Sequence, residues 1–180
     1  PEQANEARAK RRIGLGVTGL ADALIFCKLR YGSAQAVTLT ETWLAEVRRS
    51  AYLASVELAS EKGAFPLFEA EAYLAGDSVL ELDEEVRAAI AEHGIRNALL
   101  TSIAPTGTIS IFADNISSGL EPVFAFTYRR HVTMPDGGRR EETVSDYAYR
   151  QFRAQFGETA QLPDYFVTAT ALAPSDHVAM

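Results

Sequence analysis

The run Ala104-Pro105-Thr106-Gly107-Thr108-Ile109-Ser110 collects residue types suited to holding an anion. Pro105 fixes its own φ, Gly107 permits close approach to the backbone, and Thr106 and Thr108 each carry a hydroxyl. The run follows the apolar, β-type segment Ala98-Leu99-Leu100-Thr101-Ser102-Ile103. It precedes Ile111, Phe112 and Ala113 and the turn-rich stretch Asp114 to Gly119. A strand is therefore expected to end in a hydroxyl-rich turn that opens a short helix. First-turn N–H groups have no intrahelical acceptor, and the helix dipole adds partial positive charge there. Pro105, Thr106, Gly107, Thr108 and Ile109 are accordingly the candidate phosphate-binding residues. A hydroxyl-capped helix start without a ligand fits the same residues, and the sequence leaves both open. The Walker lysine is missing, so triphosphate hydrolysis of that type is not supported.

Gly14-Leu15-Gly16-Val17-Thr18-Gly19 has the glycine spacing of a dinucleotide-binding turn. That chemistry needs a buried strand just before it, and Arg8-Ala9-Lys10-Arg11-Arg12 cannot be one. The glycines are read instead as small residues on a helix that let another backbone pack close. Ser117-Ser118-Gly119-Leu120-Glu121-Pro122 is either a plain turn or a loop oriented by the Glu121 carboxylate. The histidines His93, His131 and His177 lie far apart without metal-ligand spacing, so no metal site is expected. No Ser-His-Asp arrangement can be argued. Cys27, the single cysteine, falls in Leu24-Ile25-Phe26-Cys27-Lys28-Leu29 and is expected on the buried side of a helix.

The elements that would position these groups follow from periodicity. Ile13, Val17, Leu20, Leu24 and Cys27 predict a helix over residues 5–30, broken at Tyr31-Gly32-Ser33. A longer helix is expected from Ala34 or Thr38 to Glu61, with Leu39, Trp43, Val47, Tyr52, Val56 and Leu58 as its apolar stripe and Gly63 as its stop. The short link implies an antiparallel helix pair. Glu69 to Leu74 predicts a helical turn or two, and Asp83 caps a helix running to His93 and closed by Gly94. Pro122 to Val132 reads as a strand, Pro135-Asp136-Gly137-Gly138 as a hairpin turn, and Arg139 to Thr143 as the returning strand. Ser145 or Asp146 caps a helix to Phe156, and a further helix starts near Pro174. Helix should exceed strand.

With 180 residues and 47% apolar content, the chain can form a proper core. A net charge of −7 argues against nucleic acid as the main partner. The longest apolar run is too short for a membrane span, and a lone thiol suits a reducing cytoplasm. The start at Pro1 and the stop at Met180, inside a new helix, predict a piece of a longer polypeptide.

Arg11 to Asp22 and Thr101 to Ser110, taken together, resemble the large catalytic subunit of ribonucleotide reductases. Ser117 to Ala125 and Ala173-Pro174-Ser175-Asp176-His177 continue the likeness, which runs from about residue 8 to the end. Thr106-Gly107-Thr108 is most similar to the class II, adenosylcobalamin-dependent type. The resemblance implies an α/β, helix-rich fold: part of a ten-stranded α/β barrel, with 1–63 a helical pair, 64–122 a helix, strand and phosphate turn, and 123–180 a strand hairpin and helix. It implies reduction of a ribonucleotide 2′-hydroxyl by radical chemistry, with the 105–109 turn on the substrate's diphosphate. Adenosylcobalamin would be the cofactor of the intact enzyme, with none expected in this fragment. The partners implied are a ribonucleotide, the rest of the same polypeptide and a possible second copy.

The chain departs from the family in its cysteines. The family uses a thiyl-forming cysteine and a redox pair, and Cys27 matches none of these sites, so no catalytic residue is assigned and the fragment is expected to be inactive. Exposed apolar surface, with self-association or marginal stability, is expected of such a piece. Two other classes stand beside this reading. One is a helical interaction or scaffold domain, in which the turn is only a packing device. The other is a dinucleotide-binding protein, which a helix through residues 8–13 would eliminate.

Overall fold

A computed structural model describes residues 2–180. In chain order its helices are α1 (Glu2–Lys10), α2 (Leu20–Phe26), α3 (Ala34–Lys62), α4 (Ala70–Leu74), α5 (Asp77–Leu80), α6 (Glu84–His93), α7 (Gly107–Phe112), α8 (Tyr147–Phe156) and α9 (Pro174–Ala179). Strands β1 (Thr127–Thr133) and β2 (Arg139–Ser145) lie between α7 and α8, and a 3₁₀ turn spans Ala169–Ala171. The chain forms two compact units, one from the residues up to Gly16 with Thr42–Ser102, the other from Val17–Glu41 with Ile103–Met180.

The first unit has a core of Tyr52 and Val56 from α3, Val86 and Ile90 from α6, and Phe65, Val79, Leu82, Ile95 and Leu100 from the connections. Burial of these side chains is the main force holding it together. Helix α6 starts where the sequence predicts: the Asp83 carboxylate accepts the Val86 N–H at 3.0 Å, and Gly94 ends the helix with φ 73°. Helix α3 runs to Lys62 and stops at Gly63, φ 80°. Leu58, assigned to the apolar stripe, is 37% exposed, because the buried face turns through Tyr52, Ser55, Val56 and Ala59.

The helix predicted over 5–30 does not form as one element. Helix α1 ends at Lys10, Arg11 takes φ 47°, and the chain becomes extended up to Gly19. Glycine in a helix costs about 1 kcal/mol against alanine, and two fall between residues 14 and 16. The extended backbone finds partners elsewhere. Ile13 N donates to Leu99 O at 2.9 Å, Leu15 N to Leu100 O at 2.7 Å, and Ser102 N to Leu15 O at 2.9 Å. The strand expected at 98–103 is thus reduced to one parallel bridge, Leu15 to Thr101. The close approach predicted for the glycines is real but occurs here and not on a helix. A Cβ on Gly14 would lie 2.6 Å from Ser102 Oγ, and one on Gly16 2.6 Å from the Ser102 carbonyl oxygen. Helix α1 ends at Lys10, short of the helix through 8–13 that would eliminate a dinucleotide-binding turn, but Arg12 and Ile13 before Gly14 are exposed and form no strand, so such a turn still lacks its buried strand.

In the second unit α2 packs on α8. Cys27 lies just past the end of α2 and is exposed, which corrects its expected burial. Strands β1 and β2 pair antiparallel from Thr127–Ser145 to Thr133–Arg139. The predicted turn joins them, with Gly137 at φ 82° and Met134 N donating to Gly138 O at 2.8 Å. Strand β1 begins at Thr127, not Pro122, because the preceding backbone is used otherwise: Val123 O accepts Ala169 N and Phe126 O accepts Asp146 N. Asp146 caps α8, accepting Tyr149 N at 3.0 Å, and Gly157 ends it at φ 91°. Among the described residues this hairpin is the only regular sheet, so the chain is helix-rich as expected but displays no barrel by itself. No helix among the described residues is long and apolar enough to cross a membrane.

Candidate functional site

The predicted turn and the residues that hold it all belong to the second unit. Helix α7 opens at Gly107 behind Thr106, whose φ of 50° is left-handed. That conformation is unusual for a β-branched residue and needs outside support. Thr106 Oγ1 accepts the Gly119 N–H at 2.7 Å and lies 3.2 Å from Thr18 Oγ1. Thr18 donates its own proton to the Ser117 carbonyl at 2.9 Å, so the Thr106 proton is directed at Thr18. The Thr106 hydroxyl is therefore engaged within the protein, whereas the sequence singled it out as a ligand donor.

The neighbouring groups are free to face outward. Gly107, Thr108 and Ile109 supply the first-turn amides of α7, and among the described residues none of these donates to a loop carbonyl. Ser110 N is the first to be paired, with Thr106 O at 2.8 Å. Pro105, Gly107 and Thr108 are exposed, and Ile109 is 60% exposed. A Cβ built on Gly107 would meet no atom within 4 Å, so packing does not demand a glycine there.

A cleft of about 240 Å³ borders the turn. Gly107, Ser110, Ser117, Ser118, Glu121 and Asp146 are among the residues lining it. Ser110 Oγ donates to Gly107 O at 3.0 Å and lies 3.2 Å from Ser118 Oγ, which joins the turn to the loop opposite. No lysine or arginine lines the cleft. Of the first-turn residues only Gly107 borders this cleft; Thr108 and Ile109 do not line it. An anion at the turn would be held by backbone amides and hydroxyls, in the manner of a helix-start phosphate site.

Two buried carboxylates lie behind the loop. Asp22 and Asp146 are each 3% exposed. Asp22 Oδ2 accepts Ser117 N at 2.6 Å, and Asp22 Oδ1 accepts Ala148 N at 2.8 Å. Ser117 Oγ in turn accepts Ala21 N at 3.1 Å and Asp22 N at 3.3 Å, capping a helix that has no side-chain cap of its own. Burial first, and the neighbouring Asp22 charge second, push the Asp146 carboxyl up to about 7, against the Tyr149 and Ala148 amides and Arg150. Its negative charge at the cleft is correspondingly reduced near neutral pH.

The sequence thus located the turn but missed Thr18, Asp22, Ser117 and Asp146 as its support. A signal for one of them was present: Asp22 interrupts the apolar run Leu20 to Ile25, and a carboxylate on a buried helix face needs a specific partner. Asp146 was placed as a helix cap only.

Comparison with known proteins agrees with the resemblance. The ribonucleotide reductase barrel-domain family matches the chain over residues 1–180. The chain belongs to this family. It is 34% identical to a vitamin B12-dependent ribonucleoside-diphosphate reductase of Mycobacterium tuberculosis, which aligns with 100% of this chain. A protein of the same name from Thermoplasma acidophilum is 34% identical over 96% of the chain. The ribonucleoside-diphosphate reductase large chain of Encephalitozoon cuniculi is 35% identical over 73%. The chain spans only 26%, 22% and 18% of these three relatives, respectively, so it corresponds to one section of a larger protein of this kind.

Proposed function

We propose that the chain is part of a ribonucleotide reductase catalytic subunit of the cobalamin-dependent type. The intact enzyme reduces ribonucleoside diphosphates to 2′-deoxyribonucleotides by radical chemistry, and this section supplies the seat for the substrate's diphosphate. The observation that carries the assignment is the set of first-turn amides at the exposed residues Gly107, Thr108 and Ile109, none of which donates to a loop carbonyl, beside the exposed Thr108. These groups lie in a chain matched throughout by the reductase family. Pro105 and Thr106 set the turn, and Thr108 donates to a phosphate oxygen. The lone cysteine is the exposed Cys27 at the end of α2, so the reducing thiols come from elsewhere in the polypeptide.

Adenosylcobalamin is the cofactor this reading gives to the intact enzyme, where it would initiate the radical. The residues described here do not make a seat for it. His93 ends α6, His131 lies in β1 and His177 in α9; all three are exposed and none borders the cleft. No group of three or more His, Cys, Asp or Glu among the described residues could hold a metal ion. The chain's own task is to bind and orient the nucleotide's anionic end.

Replacing Thr106 and Thr108 with valine in the full-length enzyme tests the assignment. Hydrogen bonds to a charged group contribute about 1.5–3 kcal/mol, so the Thr108→Val variant should raise the KM for a ribonucleoside diphosphate roughly 10-fold or more. Thr106→Val should also raise it, by loosening the turn and not by removing a ligand bond. An unchanged KM in both variants would reject the phosphate seat.

A further inference from the structure

We propose that Asp22 is a positioning residue for anion binding at the Pro105–Ile109 turn, acting through Ser117 and the Thr18–Thr106 hydroxyl pair. The inference rests on reading that turn as the phosphate seat. Among the described residues the Asp22 side chain makes no hydrogen bond to the turn. Its two oxygens take N–H groups from two separate segments, Ser117 at 2.6 Å and Ala148 at 2.8 Å. A buried carboxylate without such partners would be strongly unfavourable, so the bonds fix both segments in place.

Ser117 passes that constraint to the turn. Its carbonyl receives Gly19 N at 2.8 Å and the Thr18 hydroxyl at 2.9 Å. With its proton committed there, Thr18 presents a lone pair to the Thr106 hydroxyl at 3.2 Å. Two residues beyond Ser117, Gly119 N reaches back to Thr106 Oγ1 at 2.7 Å. Thr106 is held from both sides in its left-handed conformation, and its backbone angles set the direction of the amides that follow. Hydroxyl chains of this kind strengthen one another and depend on every member. A carboxamide in place of the Asp22 carboxylate would turn an NH₂ toward one of two N–H donors and break one of the two bonds.

The test compares pyrophosphate as a competitive inhibitor of the full-length enzyme carrying Asp22→Asn, Thr18→Val, the two combined, or Thr108→Val. Asp22→Asn and Thr18→Val should each weaken pyrophosphate inhibition about 10-fold, while kcat at saturating substrate changes much less. The double variant should be no worse than the more damaging single one, because both cut one path. A purely structural role would instead lower the thermal midpoint and leave pyrophosphate inhibition of the folded fraction unchanged. If Asp22→Asn fails to fold, Thr18→Val, which removes no buried charge, decides alone. Unchanged inhibition in the Asp22 and Thr18 variants, with weakened inhibition in Thr108→Val, overturns the proposal and leaves the phosphate seat standing. Unchanged inhibition in Thr108→Val as well removes the seat and the proposal together.

Discussion

Gly119→Ala is expected to destabilise the second unit by about 2–4 kcal/mol, whereas Gly107→Ala, twelve residues earlier, should leave its stability within about 0.5–1 kcal/mol of the parent. Gly119 has φ 45°, and a Cβ there would lie 2.7 Å from the carbonyl oxygen of Ala104, the residue before Pro105. A left-handed alanine costs about 1–2 kcal/mol by itself. The obstacle is backbone and not a flexible side-chain end, so either the loop or the turn must move. Any such movement lengthens the bond from Gly119 N to Thr106 Oγ1. Gly107 meets neither condition: its φ is not positive, and a Cβ there would face open space. Helix propensity even favours alanine at that position by roughly 0.5–1 kcal/mol. Urea midpoints of the two variants measure this contrast. Pyrophosphate inhibition of the full-length enzyme supplies the functional half, because a methyl at Gly107 stands where an anion would approach the amides. A Gly107→Ala variant that is stable and inhibited as before would place the anion elsewhere.

What could be read from the sequence followed how local each signal was. Asp83 with Gly94, and Asp146 with Gly157, bracket α6 and α8 at the predicted ends, because a capping carboxylate and a left-handed glycine act within one turn. The hairpin at Pro135 to Gly138 is local for the same reason. The stretch from Arg11 to Gly19 failed because Ile13, Val17 and Leu20 keep helical spacing while the glycines between them oppose a helix. The outcome was set by backbone bonds to Leu99, Leu100 and Ser102, more than 80 residues away. The exposure of Cys27 follows from α2 ending at Phe26, which no residue in the run announces.

The candidate site divides in the same way. The turn itself was legible because Pro105, Thr106, Gly107 and Thr108 are contiguous. Its support was not, since the bonds from Ser117 to Asp22 and from Gly119 to Thr106 join segments whose nearness only the fold creates. Thr106 shows the consequence. Composition makes it a ligand donor, but the fold uses its proton for Thr18.

Asp146→Asn should make the second unit more stable at pH 8 and remove part of its pH dependence between 5 and 8. The folded-state carboxyl titrates at about 7, above its ordinary 3.8, because burial and the Asp22 charge oppose its ionisation. Between these two values the folded chain holds a proton that the unfolded chain has released. Stability from this group is therefore fully present below about pH 4 and is lost as pH rises through about 7. A shift of this size corresponds to a penalty on the order of 2–4 kcal/mol once the group is ionised. Asparagine keeps the cap, since its side-chain oxygen can still accept the Tyr149 N–H, and it ranks with aspartate at that position. It gives up a favourable charge at the start of α8, worth about 0.3–1 kcal/mol, so relief of burial and repulsion outweighs the loss. Urea unfolding of parent and variant at pH 4, 5 and 8 checks this: the midpoints should lie nearest each other at pH 4 and move apart through pH 5 to pH 8, with the variant higher. Parallel curves across that range would mean that Asp146 is ionised throughout. The cleft would then face a bound phosphate with a permanent negative charge, and the amides at Gly107, Thr108 and Ile109 would have to overcome it unaided.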